Sequence, residues 1–212
     1  MPQSISTKFA IEGNTRTPGP LTSPRSCSIA ARALLVLDEA YTEYAAAWPE
    51  VDHVDGLELR KHDPRVVVLR TFSKIYGLAG LRCGYAVAER GVIELLGRVG
   101  RTFAVSSLAL VGATAALGDQ DHVAISARHA RAVIEQLRAE VKGPGVKVYP
   151  SLANFVLIET GRTAAPVYDK LLRMGVIVRP MAAWGLPTCV RVSVASVQDM
   201  PRVIKALNDA LA

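Results

Sequence analysis

The sequence predicts an α/β domain followed by a smaller α+β domain, on three observations. The 212-residue chain is 50% hydrophobic, which suffices for the core of one large domain or two small ones. Three short apolar runs in its first half do not alternate with polar residues, as is typical of strands covered by helices on both faces. Beyond a long helix that starts near residue 119, the predicted elements become shorter, which indicates a second domain.

The elements of the first predicted domain, residues 31–118, follow from these apolar runs. Strands are predicted at 33–37, 66–69 and 85–88, and helices at 91–100 and 106–117. Residues 1–30, which precede them, are rich in glycine, proline, serine and threonine and lack apolar periodicity. Such composition predicts an irregular lead rather than helices or strands.

The second predicted domain, residues 119–212, opens with a helix through Glu140 that Asp119 caps. Its apolar face would consist of Val123, Ile125, Val133, Ile134 and Leu137. The glycine- and proline-containing segment 142–145 ends this helix. Further strands are predicted at 146–149, 154–158, 176–178 and 190–194, and helices at 164–174 and 197–211.

Charge and composition exclude several classes of function. The net charge is +6, but the basic residues are scattered, which favours an ordinary surface over a nucleic-acid interface. Excess arginine also suits a phosphorylated substrate. No apolar run reaches the roughly 18 residues of a transmembrane helix, and no signal peptide is visible. We therefore expect a cytoplasmic protein without nucleic-acid or membrane partners.

Cysteine and histidine positions predict no metal site. The three cysteines, Cys27, Cys83 and Cys189, are far apart and form no C-x-x-C pair. The four histidines also lack the spacing of metal ligands. His122 and His129 fall on the long predicted helix, where we expect both side chains to be solvated.

Polar residues with complementary chemistry follow two of the predicted strands. The first strand ends in Asp38-Glu39-Ala40-Tyr41, and the second in Thr71-Phe72-Ser73-Lys74, with a small-residue loop leading to Arg82. Each residue alone has an ordinary explanation as a helix cap, turn former or surface charge. Ligands bind beyond the carboxyl ends of strands in open α/β sheets, so the combination favours a ligand site.

These groups meet the needs of pyridoxal 5'-phosphate. The cofactor requires a lysine for its aldehyde, a carboxylate beside its pyridine nitrogen, and hydroxyl groups and an arginine for its phosphate. The segment from Thr71 to Tyr85 resembles the lysine segment of fold-type I aminotransferases, especially histidinol-phosphate aminotransferases. The segment 35–44, LVLDEAYTEY, resembles the D-E-A-Y segment of the same family. Residues 154–157 resemble a small-domain strand of that family, and residues 175–180 and 190–194 resemble its substrate-arginine region.

The resemblance implies the fold and a role for each matching residue. It implies a partial PLP-transferase large domain, with a mixed, mostly parallel sheet, followed by a small α+β domain. Lys74 would hold the cofactor covalently and then move a proton on the substrate. The other implied cofactor ligands are Asp38 at the pyridine nitrogen, Tyr41 at the 3' oxygen, and Ser73, Arg82 and, more weakly, Thr71 at the phosphate.

The resemblance also implies substrate residues and partners. Arg191 would bind the substrate carboxylate, and Arg179 the distal phosphate of a phosphorylated amino compound. Arg191 alternates with valines, so it could equally be a solvent-facing strand residue, and Arg179 could be a loop arginine. The second substrate would be a 2-oxoacid, and the family implies a homodimer.

Two segments depart from the family pattern. The family's phosphate-binding loop, its stacking aromatic residue and its N-P-N-N-P-T-G-like run normally precede the D-E-A-Y strand, and residues 1–30 do not match them. The chain thus resembles the family without its amino-terminal part, which predicts weak or no cofactor binding by the isolated chain and an exposed sheet edge. Ala104 also replaces an asparagine of the family.

Three functions stay open from the sequence. The first is transamination between histidinol phosphate and 2-oxoglutarate in histidine biosynthesis. The second is another reaction of the same fold, by an aromatic aminotransferase or a threonine-phosphate decarboxylase. The third is a truncated remnant or interaction module without turnover.

Overall fold

A computed structural model describes residues 33–212, which form two compact units. The first contains the described residues up to Thr42 and residues Pro49–Val123. The second contains Glu43–Trp48 and Ala124–Ala212. The predicted lead at residues 1–30, with Cys27, lies outside the described residues.

The first unit is built on a three-stranded mixed sheet. Its strands are β1 (Leu35–Asp38), β2 (Val66–Thr71) and β3 (Gly84–Val87) in the order β1-β2-β3, with β1 parallel to β2 and β3 antiparallel to β2. Its helices are α2 (Gly56–His62), α3 (Arg90–Val99) and α4 (Ser107–Gly118), and Thr42 of this unit begins α1 (Thr42–Ala45), whose other residues belong to the second unit. The predicted mixed sheet with flanking helices is confirmed.

Burial in this sheet differs from strand to strand. Val66, Val67 and Val68 of β2 are almost fully buried, as predicted for a strand covered on both faces. β3 alternates between buried and half-buried positions, and β1 is half-buried throughout its apolar part. The prediction of two-sided burial is therefore wrong for β1 and β3, which are the edge strands of the described sheet.

Helices α1 and α2 are absent from the elements predicted by sequence. α2 nevertheless carries ordinary boundary signals. Asp55 caps its first turn by accepting a hydrogen bond from the Leu57 amide at 2.8 Å, and its last turn is basic. The capping residue and the charge distribution could therefore have identified this helix.

The second unit places helices against a four-stranded antiparallel sheet. The strands are β4 (Val146–Val148), β5 (Phe155–Thr160), β6 (Arg179–Pro180) and β7 (Cys189–Ser193), in the order β4-β5-β7-β6. The helices are α5 (Gln120–Glu140), which begins in the first unit, α6 (Ala164–Arg173) and α7 (Met200–Leu211). One face of the sheet, with Val156, Ile158, Val190 and Val192, packs into a core with these helices. This matches the predicted α+β architecture.

One predicted strand and one predicted helix boundary in this unit are wrong. Residues 176–178 form no strand, because Gly175 turns the chain in a left-handed conformation and the Val176 amide donates to the Leu171 carbonyl of α6. Val176 and Val178 are buried in the core instead. The last helix starts at Met200 rather than at 197, after a turn closed by Ser196.

The long helix α5 has the predicted extent and cap. The Asp119 side chain accepts a hydrogen bond from the His122 amide at 3.0 Å. Val133, Ile134 and Leu137 are buried as predicted, but Ile125 is 59% exposed. Ala127 and Ala130 are buried on this side of the helix instead. The predicted apolar face is therefore wrong near the amino-terminal end of the helix.

Candidate functional site

The parallel pairing of β1 and β2 brings the two polar segments to one edge of the sheet. Asp38, the last residue of β1, pairs with Leu69 of β2, and β2 ends two residues later at Thr71. Lys74 follows that end by three residues, as Tyr41 follows Asp38. Because parallel strands end at the same edge, both loops leave the sheet on one side.

Side-chain contact joins these loops. The Lys74 Nζ atom lies 5.3 Å from the centre of the Tyr41 ring, within the range of a cation–π interaction. Asp38 is exposed and accepts one hydrogen bond, from the Ala40 amide to Oδ1 at 3.2 Å. An amine, a phenol and a carboxylate are thus presented on one edge of the sheet.

The side chain of Glu39 fixes the loop that follows β1. Its buried carboxylate accepts the Gly56 amide at 2.5 Å through Oε1 and both Nε and Nη2 of Arg70 at 3.0 and 2.9 Å through Oε2. Burial by itself lowers the pKa of the Arg70 guanidinium, but hydrogen bonding and charge attraction to Glu39, together with the interaction with Tyr85, raise the pKa overall. Successive side chains point in opposite directions at the end of β1, so Asp38 is exposed to solvent and Glu39 is buried.

The second loop is a tight turn closed by its own hydrogen bonds. The Ser73 amide donates to the Thr71 hydroxyl at 3.1 Å, and the Gly77 amide to the Lys74 carbonyl at 2.9 Å. Phe72 anchors the turn in a small core with Cys83, and its ring packs against Tyr76 with centroids 5.1 Å apart. The Thr71 hydroxyl also donates to the Cys83 carbonyl at 3.4 Å, so it supports the turn internally.

Arg82 returns to this turn from the end of a short 3-10 helix, Ala79–Leu81. Its backbone is left-handed, with φ 53°, a conformation that costs a non-glycine residue about 1–2 kcal/mol. Its Nη1 donates to the Ala79 carbonyl at 2.8 Å and to the Ser73 hydroxyl at 3.4 Å. Among the described residues nothing lies within 4 Å of a Cβ built on Gly80, so the loop is open to an anion beside Arg82.

The other two predicted site residues lie in the second unit and face each other across two strands. Arg179 of β6 pairs directly with Arg191 of β7, so both side chains emerge from the same face of the sheet. The Arg191 guanidinium lies 4.8 Å from the centre of the Phe155 ring, and that of Arg179 lies 5.8 Å from the Trp184 ring. Like charges directly opposite each other destabilise a sheet unless a counter-ion compensates.

Arg191 is half-buried, and its Nε atom is buried with no hydrogen-bond partner among the described residues. A buried donor without a partner costs about 1–3 kcal/mol. The orphaned donor and the facing Arg179 both indicate a place for an anionic group. This environment also distinguishes Arg191 from an ordinary solvent-facing strand residue.

Two histidines lie in positions that the sequence did not indicate. His122 Nε2 lies 2.9 Å from the Ile75 carbonyl, and His129 Nε2 lies 2.9 Å from the Ala195 carbonyl. A carbonyl only accepts, so each ring nitrogen donates. The His122 side chain is exposed, as predicted, although one ring nitrogen contacts the Ile75 carbonyl. For His129, which is half-buried against the Ala195 carbonyl, the prediction of a solvated side chain is wrong.

The sequence profile of the aminotransferase class I and II family matches residues 26–207. The chain belongs to this family. Histidinol-phosphate aminotransferase 2 of Pseudomonas aeruginosa is 45% identical over 185 residues, which are 87% of this chain and 49% of that relative. The chain thus spans about half the length of the relatives that it matches.

Solved structures of class I and II aminotransferases and related proteins show the same fold. Histidinol-phosphate aminotransferase from Sinorhizobium meliloti, in complex with pyridoxal-5'-phosphate, has a TM-score of 0.74 and 32% identity, covering 84% of this chain and 48% of that one. L-threonine-O-3-phosphate decarboxylase from Porphyromonas gingivalis has a TM-score of 0.71 and 25% identity, covering 83% and 54%. The predicted fold and family resemblance are confirmed.

Proposed function

We propose that this chain carries the lysine-bearing part of a pyridoxal-phosphate-dependent aminotransferase site, with histidinol phosphate as amino donor and 2-oxoglutarate as acceptor. The observation that carries the proposal is the approach of Lys74 Nζ to the Tyr41 ring at the sheet edge where Asp38 ends β1. The names of its relatives support the choice of substrate.

The first unit offers the side-chain groups that the cofactor needs and a loop with room for its phosphate. The Lys74 amine is available for the cofactor aldehyde, and the exposed Asp38 carboxylate for the pyridine nitrogen. Tyr41 lies next to the lysine and can donate its hydroxyl to the ring oxygen. The Ser73 hydroxyl and the Arg82 guanidinium, already 3.4 Å apart, converge on the open loop and would bind the phosphate.

Each residue has a defined task in the proposed reaction. When bound, pyridoxal phosphate withdraws electrons from the α-carbon of the substrate. Lys74 Nζ would remove the proton from that carbon and deliver a proton to the C4′ atom of the cofactor. The Asp38 carboxylate keeps a proton on the pyridine nitrogen. Tyr41 orients the ring, and Thr71 acts indirectly by fixing the Ser73 amide.

Substrate recognition is assigned to the pair of arginines in the second unit. The orphaned Nε of Arg191 and its planar fork suit a carboxylate in a bidentate arrangement. Arg179 adds the second positive charge that a phosphate ester requires. We assign the cofactor-binding part of the large domain to residues 31–118 and the small domain to 119–212.

We further propose that the protein acts as a homodimer in the cytoplasm. Helix α4 leaves Leu108 and Val111 largely exposed, and Phe103 before it is 97% exposed, which is typical of a surface that a partner covers. The helices described between residues 33 and 212 include none that could cross a membrane. Sedimentation velocity and cell fractionation measure these two properties, and a monomer or a membrane-bound protein would refute them.

Selective trapping of the cofactor tests the proposed site. The purified chain is incubated with pyridoxal phosphate, reduced with borohydride and digested, and the modified lysines are mapped by mass spectrometry. We expect Lys74 to be labelled ahead of the exposed Lys61, and a Lys74→Ala variant to lose that selectivity. Equal labelling of both lysines in the wild-type chain would reject the site.

Affinity is tested in the same experiment. The chain spans about half of its relatives, and the expectation of weak binding stays a prediction. Stoichiometric labelling of Lys74 at equimolar cofactor would contradict that expectation while supporting the site.

A decarboxylase of the same fold is the second candidate. The similarity to L-threonine-O-3-phosphate decarboxylase favours it, because that substrate is also a phosphorylated amino compound. Carbon dioxide release from threonine phosphate would support this candidate. Amino transfer from histidinol phosphate to a 2-oxoacid would reject it.

A further inference from the structure

We infer that His122 is a positioning residue for Lys74, acting through the backbone of the lysine turn. The inference deepens the proposed function and rests on it, because it assigns a supporting contact to the same site. His122 lies in the first turn of α5, 47 residues from the segment that it contacts.

The contact reaches the residue directly after the lysine. The imidazole Nε2–H of His122 donates to the Ile75 carbonyl at 2.9 Å. Ile75 is itself 2% exposed. The peptide chain on the carboxyl side of Lys74 is therefore held by a side chain from another element.

Two backbone hydrogen bonds of the turn are local. The Gly77 amide donates to the Lys74 carbonyl at 2.9 Å, and the Leu78 amide to the Phe72 carbonyl at 3.0 Å. Both lie within the same loop, so they define its shape but do not tie it to another helix. The bond from His122 links the turn to α5.

The donor is itself fixed at its backbone. The His122 amide donates to the Asp119 carboxylate at 3.0 Å, in the cap of α5. Backbone and ring of His122 are thus both restrained, and a restrained donor loses little entropy when it holds the turn. Precise placement of Lys74 Nζ matters, since catalytic groups lose effectiveness when their supporting contacts leave them about 1 Å out of place.

His129 offers a matched control on the same helix. It lies two turns further along α5, and its Nε2 donates to a backbone carbonyl at the same 2.9 Å, but that carbonyl belongs to Ala195. Replacing either histidine with alanine removes its ring and the hydrogen bond from that ring to a backbone carbonyl. Only the change at His122 loosens the turn that carries Lys74.

The experiment compares the variants His122→Ala, His122→Gln and His129→Ala with the wild-type chain. The first measurement needs no cofactor: amide hydrogen exchange at Gly77 and Leu78. Loss of one net hydrogen bond predicts exchange about three- to tenfold faster in His122→Ala. The Gln side chain can donate from a similar reach, so His122→Gln should exchange like the wild type, as should His129→Ala.

The second measurement is the rate of pyridoxal-phosphate capture at Lys74, followed by borohydride reduction over a range of cofactor concentrations. We expect the maximal rate in His122→Ala to fall about three- to tenfold, with the half-saturating concentration unchanged and with recovery in His122→Gln. Equal effects of His122→Ala and His129→Ala on either measurement would overturn the inference, as would unchanged exchange in His122→Ala.

Failure of the two proposals can be told apart. If the wild-type chain shows no selective capture at Lys74, the proposed function fails for this chain, and amide exchange alone decides whether His122 holds the turn. If His122→Ala does not fold, His122→Asn, whose amide is too short to reach the carbonyl, takes its place.

Discussion

Replacing Glu39 with glutamine should destabilise the first unit more than any exposed ion pair could. The Glu39 side chain is 8% exposed and that of Arg70 is 15% exposed. In Glu39→Gln the amide oxygen still accepts from the Gly56 amide, but the NH2 group faces the guanidinium of Arg70 and cannot accept from it. The substitution therefore removes the buried one of the two carboxylates that pair with the Arg70 guanidinium.

The contacts of Arg70 determine how much free energy of unfolding the substitution should cost. Breaking a buried ion pair from one side costs about 3–5 kcal/mol. Asp55 remains 3.1 Å from Arg70 Nη2 and is itself 45% exposed, so it compensates in part. We therefore expect Glu39→Gln to lower the free energy of unfolding by about 2–3 kcal/mol.

Urea denaturation followed by far-ultraviolet circular dichroism measures this change. The control is Glu94→Gln, which breaks the exposed pair between Arg90 and Glu94 on α3 and should cost at most about 0.5 kcal/mol. A loss below about 1 kcal/mol in Glu39→Gln, or a loss equal to that of the control, would refute the assignment of Glu39 as the anchor of this loop.

Two further predictions concern packing and thiol chemistry. Gly56→Ala would place a Cβ 2.6 Å from Glu39 Oε1 and 2.8 Å from Leu37 Cδ1, which should cost about 1–3 kcal/mol in the same denaturation assay. Gly80→Ala, which meets nothing within 4 Å among the described residues, should change stability little, and similar losses in both variants would contradict the packing argument. Burial raises the pKa of the Cys83 thiol, and burial followed by hydrogen bonding to Glu159 raises that of Cys189. Because the thiolate reacts, iodoacetamide should modify both cysteines slowly in the native chain and rapidly in urea. Because the thiol pKa values are higher in the folded state than in the unfolded state, the free energy of unfolding should fall as pH rises above the ordinary thiol pKa of about 8.5. A rise in the free energy of unfolding in that range would contradict the assigned burial.

Local sequence predicted most of the elements and the residues of the proposed site. A non-alternating apolar run identified β2, because a strand that is buried on both faces needs no polar face. Asp119 marked the start of α5, because a carboxylate satisfies free amides at a helix terminus. The residues from Asp38 to Tyr41 and from Thr71 to Lys74 could be assigned together, because parallel strands present their carboxyl ends on one edge.

Tertiary structure decided what depends on contacts between distant segments. Ile125 belongs to an apolar pattern but is exposed, because which side of a helix is covered depends on its neighbours. The Gly56 amide donates to Glu39, and the His122 ring to the Ile75 carbonyl, across 17 and 47 positions of the sequence. No local pattern encodes either bond. The direct opposition of Arg179 and Arg191 likewise follows from the register of β6 on β7. Sequence periodicity indicates which residues share a face of a helix or strand, whereas only tertiary packing determines which residues that face contacts.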